Sequence, residues 1–215
     1  MMRRIALIVA AFSVLTCNAW AAPVTIDLSG AGGGHLITAP GGSFGQAFVP
    51  QWVSGGTGLG GSPSDPLTLD ATGWLEVDFF DPALGFGSEN SILPYPGNQG
   101  PLALKLDSYA SSISWVMGYV DNPGFTPPLI IKFYDEHGGL VDTITPTLIG
   151  GYSSYSFTPT GAFLGLTISN DNDPAGMRFM HFAYDSVASV PDAASSVFLL
   201  SLGLLGLAEL RRRSR

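Results

Sequence analysis

Glu76, Asp78 and Asp81 stand close together in the stretch Trp74-Leu75-Glu76-Val77-Asp78-Phe79-Phe80-Asp81. Two carboxyl groups could cleave a glycosidic bond, one as nucleophile and the other as general acid, if they lay about 5–5.5 Å apart. That chemistry asks for one shared surface. Side chains alternate along a strand, so Glu76 and Asp78 share a face, whereas Asp81 falls on the other face unless a bulge intervenes. Charges on a solvated strand face are the plainer expectation, and no catalytic residue is assigned.

The other polar groups are weighed the same way. Asn170-Asp171-Asn172-Asp173, with Asp185 on a later strand, offers the oxygen ligands that calcium prefers. The spacing is not that of an EF-hand, since Pro174 ends the run, and the string is also an ordinary turn former. No cofactor is expected, and Ca2+ is the one ion the chain could take. His35, His137 and His181 are widely spaced, and only His137, beside Glu136, has an adjacent acid, so metal and triad roles are not expected. Ser153-Ser154 lacks the glycine context of a nucleophile elbow. The glycine-rich run from Ser29 to Ser64 precedes neither a helical pattern nor a nearby lysine, which argues against a phosphate-cradling loop.

Aromatic side chains offer binding instead of catalysis. Trp52, Trp74 and Trp115, with Tyr95, Tyr152 and Tyr155, could form a glycan-stacking platform if several were exposed on one face. Trp115 alternates with Ile113, Met117 and Tyr119 and reads as core. Trp52 and Tyr95 lie in glycine-rich loops and are the ones expected at the surface.

The elements that must carry these residues are short strands. Alternation or β-branched and aromatic runs mark Val24–Leu28, Phe44–Val49, Leu67–Asp70, Trp74–Phe80, Leu102–Leu106, Ile113–Tyr119, Leu129–Tyr134, Leu140–Thr145, Tyr155–Phe157, Ala162–Ser169 and Arg178–Ala188. Ala71-Thr72-Gly73 reads as a hairpin turn, and Asp135-Glu136-His137-Gly138-Gly139 as a five-residue hairpin loop. Residues 54–66 and 81–100 read as loops. About eleven strands with frequent turn signals point to an antiparallel sandwich or barrel.

Charge and cysteine use set further bounds. Between the chain's ends, fifteen acidic residues face only Lys105, Lys132 and Arg178, a net charge of −12. Such a surface repels phosphate backbones, so no nucleic acid partner is expected. The only cysteine, Cys17, lies in an N-terminal leader-like segment, leaving the rest without a disulfide.

Residues 1–21 have the three parts of a signal peptide. Arg3 and Arg4 are followed by the apolar run Ile5–Leu15 and by Ala19-Trp20-Ala21, with cleavage expected after Ala21. At the other end, Val190-Pro191-Asp192 precedes an apolar segment and the cluster Arg211-Arg212-Arg213. Residues 193–210 as a helix would rise about 27 Å, barely a bilayer core, with the arginines held on the cytoplasmic side. A simple membrane anchor would look the same.

This three-part tail resembles a PEP-CTERM-type sorting signal, closest to its Val-Pro-Asp-Ser-Gly (VPDSG-CTERM) variant, although Ala193-Ala194 stand where serine and glycine are expected. The resemblance implies export, transient anchoring in the inner membrane of a Gram-negative-type bacterium, and processing by an exosortase-like membrane protease. Delivery to the cell surface or extracellular matrix would follow. Phe163-Leu164-Gly165-Leu166 and Phe182-Ala183-Tyr184-Asp185-Ser186-Val187 are similar to the closing strands of jelly-roll modules found ahead of such tails. Residues 76–81 resemble the strand motif Glu-x-Asp-x-x-Glu of laminarinase-type glycosidases, with Asp81 in place of the second glutamate.

The expectation is therefore an all-β chain, a jelly-roll-like antiparallel β-sandwich over residues 22–189, between a signal peptide (1–21) and a sorting signal with one transmembrane helix (190–215). Its expected role is structural or adhesive, non-enzymatic and linked to exopolysaccharide. The alternative is a carbohydrate-binding module or a small glycan hydrolase using Glu76 and Asp81.

Overall fold

A computed structural model describes residues 23–54, 58–79, 90–94, 100–119, 129–147, 151–170 and 177–187. Its strands are β1 (Pro23–Thr25), β2 (Ile37–Ala39), β3 (Gly42–Gly45), β4 (Trp52–Ser54), β5 (Gly58–Gly60), β6 (Leu75–Phe79), β7 (Asn90–Pro94), β8 (Leu102–Tyr119), β9 (Ile130–Tyr134), β10 (Leu140–Ile144), β11 (Ser153–Phe157), β12 (Phe163–Ser169) and β13 (Met177–Ser186). Every pairing is antiparallel, and the described residues contain no helix.

The 18-residue β8 organises the sheet. Its first half pairs with β12 on one side and β3 on the other. Its second half pairs with β11 and β13. Two sub-sheets share this strand: β10-β9-β12-β8-β3-β2, and β11-β8-β13-β7-β6 with β1 also on β13. Leu102, Leu104, Leu106 and Ala110 are buried along the first half, and Ile113, Trp115 and Met117 along the second. The parity of buried residues changes because Asp185 pairs with Ser112 and Ser186 with Ala110, leaving Ser111 as an extra, bulged residue. A second bulge on β13 accommodates His181, whose φ of 56° lies in the left-handed region.

The inward faces of both sub-sheets meet in one core, so the architecture is sandwich-like. Phe182 joins the two, with ring centroids 5.0 Å from Phe44 on β3 and 6.0 Å from Trp115 on β8. Tilted contacts of this kind add to the stabilisation from the area that each aromatic ring removes from water.

Several elements differ from the sequence expectation. The runs at 102–106 and 113–119 are one strand, their continuity hidden by the bulge. Residues 67–70 do not form a hairpin with 74–80: β6 pairs with β7, which lies inside the expected loop 81–100. Leu69 instead bridges to Phe48. β2 and the β4–β5 hairpin arise within the glycine-rich segment, where short strands without alternation leave little pattern to read.

Residues 46–54 and 58–70 form a cover over the outer face of β8, β9 and β12. Phe48 and Leu67 pack against Ala103 and Tyr134 in a second apolar cluster. Backbone bonds hold the cover to itself and to the sheet: Val49 N donates to Thr68 O at 2.8 Å, Asp70 N to Ala47 O at 2.9 Å, and Leu67 N to Glu136 O at 2.8 Å. The Lys105 ammonium donates to Leu67 O at 2.7 Å. Gly165 makes this docking feasible, since a Cβ there would fall 2.6 Å from Leu67 and 2.7 Å from Phe48.

Candidate functional site

The cover carries the most conspicuous exposed aromatic side chain. Trp52 on β4 is 60% exposed, although tryptophan is normally well buried. Its indole lies against Gly60 and Gly61 of the facing strand and turn, where a Cβ would fall 2.5 Å and 2.7 Å from the ring. The absence of side chains at those two positions makes room for the ring, which stays largely open to water. Gly61 also has a φ of 80°, which suits glycine.

Beside the indole is a cleft of about 320 Å³, lined by Gln46, Ala47, Gln51, Trp52, Val53, Asp70, Thr72 and Gly73. That volume is at the low end of small-ligand sites, about 300–1,000 Å³. Gln51 is buried and its amide is used structurally. Its Oε1 accepts from Phe48 N at 3.0 Å, and its Nε2 donates to Tyr134 Oη at 3.3 Å and to Gly61 O. Burial pushes the Tyr134 hydroxyl up from its ordinary value, so it stays protonated. The Asp70 carboxylate accepts from Thr72 N at 3.1 Å and from Thr72 Oγ1 at 2.7 Å, which fixes its orientation at the cleft wall. Gln46 packs over Gly73, where any Cβ would collide with its side-chain oxygen. Next to Gly73 the His35 ring donates from Nδ1 to Gly73 O at 2.6 Å and meets Trp74 edge-on at 5.1 Å.

The sequence-predicted residues distribute as follows. Trp52 is exposed and Trp115 buried, as expected, while Trp74 is 41% exposed. Glu76 and Asp78 share the outward, exposed face of β6, and Asp78 accepts from Arg178 Nη2 at 3.1 Å. Asp81 and Tyr95 lie outside the described residues. Asn170 is buried at the end of β12, while Asp185 is exposed near the far end of β13 and accepts from Ser112 Oγ at 2.6 Å. Asp171 and Asp173 lie outside the described residues, and no group of three or more metal-ligating side chains occurs among the described ones. His137 stands between Asp65 at 3.1 Å and Glu136 at 3.3 Å, a pairing across 72 residues with Asp65 that local spacing does not reveal. Asp70 and Thr72 were not singled out in the sequence, because only the closure of the cover brings them to Trp52.

The tail residues Val190, Pro191, Asp192, Arg211, Arg212 and Arg213, and the leader residues Ala19 and Ala21, also lie outside the described residues. Among the described residues no helix is long and apolar enough to cross a membrane. Residues 189–214 match the family of the VPDSG-CTERM motif. The chain carries a VPDSG-CTERM sorting signal. This is a C-terminal sorting signal of the PEP-CTERM type, and such a signal indicates a secreted protein directed to the cell surface.

No curated protein matches the chain. Among solved structures, similar folds include a family 29 carbohydrate-binding module mutant complexed with mannohexaose, at 16% identity and TM-score 0.37 over 76% of this chain and 91% of that one. The family 32 module of C. perfringens NanJ, complexed with galactose, gives 16% identity and TM-score 0.33 over 44% and 74%. The enzymatically active domain of bacteriophage CBA120 tailspike protein 4 gives 16% and 0.35 over 54% of this chain, which spans 18% of that one.

Proposed function

We propose that the protein is an exported surface or extracellular-matrix component with a structural or adhesive role, whose β-sandwich contacts extracellular polysaccharide at the Trp52 cleft. The observation that carries the contact is the indole itself, seated against two glycines and exposed beside a cleft lined by Gln46, Asp70 and Thr72. Burying a tryptophan face that folding leaves wet is favourable, and the flat apolar face of a sugar ring is a partner of matching shape.

Sorting would proceed through an exosortase-like membrane protease. In this proposal Val190-Pro191-Asp192 forms the recognised motif, residues 193–210 form a transient membrane span, and Arg211-Arg212-Arg213 stop transfer. A signal peptidase would cut after Ala21. Intact-mass measurement of the native surface protein tests this, with loss of residues 1–21 and of the arginine cluster expected. A surface protein retaining Arg215 would overturn the processing. The contact is tested by retention on immobilised polysaccharide. Trp52→Ala is expected to weaken retention roughly tenfold or more, as loss of a central tryptophan contact does; unchanged retention removes the cleft from the proposal.

A further inference from the structure

Resting on the carbohydrate reading above, we infer that the Trp52 cleft selects uncharged hexopyranosyl residues and rejects acidic polysaccharide. The charge of the site carries this, since Asp70 is the one carboxylate among the lining residues and no cation accompanies it. The Asp70 carboxylate offers acceptor oxygens, and Thr72 occupies one site on each of them, leaving further lone pairs for a ligand. The Gln51 amide hydrogens are already directed at Tyr134 and Gly61. No basic side chain lines the cleft. A site with a fixed carboxylate beside an aromatic plate suits a ligand that brings hydroxyl donors and an apolar ring face.

A uronate or a sulfated sugar would place a like charge near Asp70 without a cation to offset it, which costs affinity. The surrounding charge works in the same direction, with a net −12 on the region between the two terminal segments. Long-range repulsion and local exclusion are separable, because salt screens the first far more than the second. The exclusion at the cleft is the local one.

The test is affinity electrophoresis and titration calorimetry on the full-length protein in mild detergent, with galactomannan and laminarin as neutral polysaccharides and alginate as the polyanion. Binding to at least one neutral polymer is expected, with alginate unbound both at low salt and at about 1 M salt, where the screening length is only about 3 Å. Trp52→Ala should lower neutral-polymer affinity about tenfold or more, and Trp52→Phe, which keeps a ring on the glycine floor, should lose less. Asp70→Asn, which replaces an acceptor with a donor, should weaken neutral binding and relax the exclusion of alginate. A cooperative thermal transition confirms that each variant is folded. Alginate bound as tightly as the neutral polymers at high salt would overturn the selectivity and leave the carbohydrate reading standing. Neutral binding unaffected by Trp52→Ala would overturn the site, and binding to none of the three would overturn both readings.

Discussion

His137 shows how one exposed side chain can fasten two segments. Its ring faces Asp65 in the cover and Glu136 in its own loop, and the hydrogen bond that Nδ1 donates to the Asp65 carboxylate raises its pKa above the ordinary 6.5. A raised folded-state pKa means that protonation favours the folded form. The contribution is complete below pH 6.5 and is lost as the pH rises through the folded-state value. Because the pair is exposed, the effect is small and salt-sensitive. Thermal melts across about pH 5–8 should show a decline on the alkaline side that His137→Gln flattens; parallel curves for both proteins would remove the fastening role. Asp142 behaves in the opposite sense. Backbone N–H groups of Thr160 and Thr143 lower its pKa, so its contribution is present above the usual carboxylate range and is lost on acidification through the lowered value.

At the scale of elements, glycine at 165 couples sheet and cover. Gly165→Val would push Phe48 and Leu67 outward, and overpacking of this kind costs about 1–3 kcal/mol. Urea unfolding should show that loss, and polysaccharide retention should fall with it because the displaced cover carries Trp52. A valine at His181 would be forced into a left-handed backbone conformation at a cost of about 1–2 kcal/mol, whereas His181→Asn should cost less in the same assay. The strands most legible in the sequence were those whose buried residues alternate with wetter ones, such as Ile131 and Phe133 around Lys132 on β9. β7 was not legible, because residues 91–94 are all buried and do not alternate. The 67–80 region misled for a different reason: two runs separated by a turn-like Ala71-Thr72-Gly73 suit a hairpin locally, but the apolar partners of Leu67 and Leu75 come from distant chain. Trp52 stood out by its glycine-rich surroundings, while the carboxylate that completes the cleft arrives only through the fold.

For the whole molecule, closure depends on β13. It is flanked by β8 on one side and by β1 and β7 on the other, and it supplies Met177, Phe179, Phe182 and Tyr184 to the shared core. A chain ending at Ala175 should therefore show no cooperative unfolding transition by calorimetry, even though every other described strand is present. A sharp transition in that truncation would show that the remaining strands close without it. The cost is topological as well as apolar: along its second half β8 would keep β11 and lose β13, leaving a sheet edge prone to association.

The placement of β13 also bears on the order of export. The sorting signal begins at residue 189, directly after the strand that closes the sheet ends at Ser186. In a chain threaded outward N-terminus first, the sandwich cannot close until its last strand has crossed, so a finished fold reports a finished crossing. From Ser186 to Val190 the backbone can extend no more than about 14 Å. A protease cutting at that motif would work within about 14 Å of a closed sheet, and the timing of release would then be read from the fold itself.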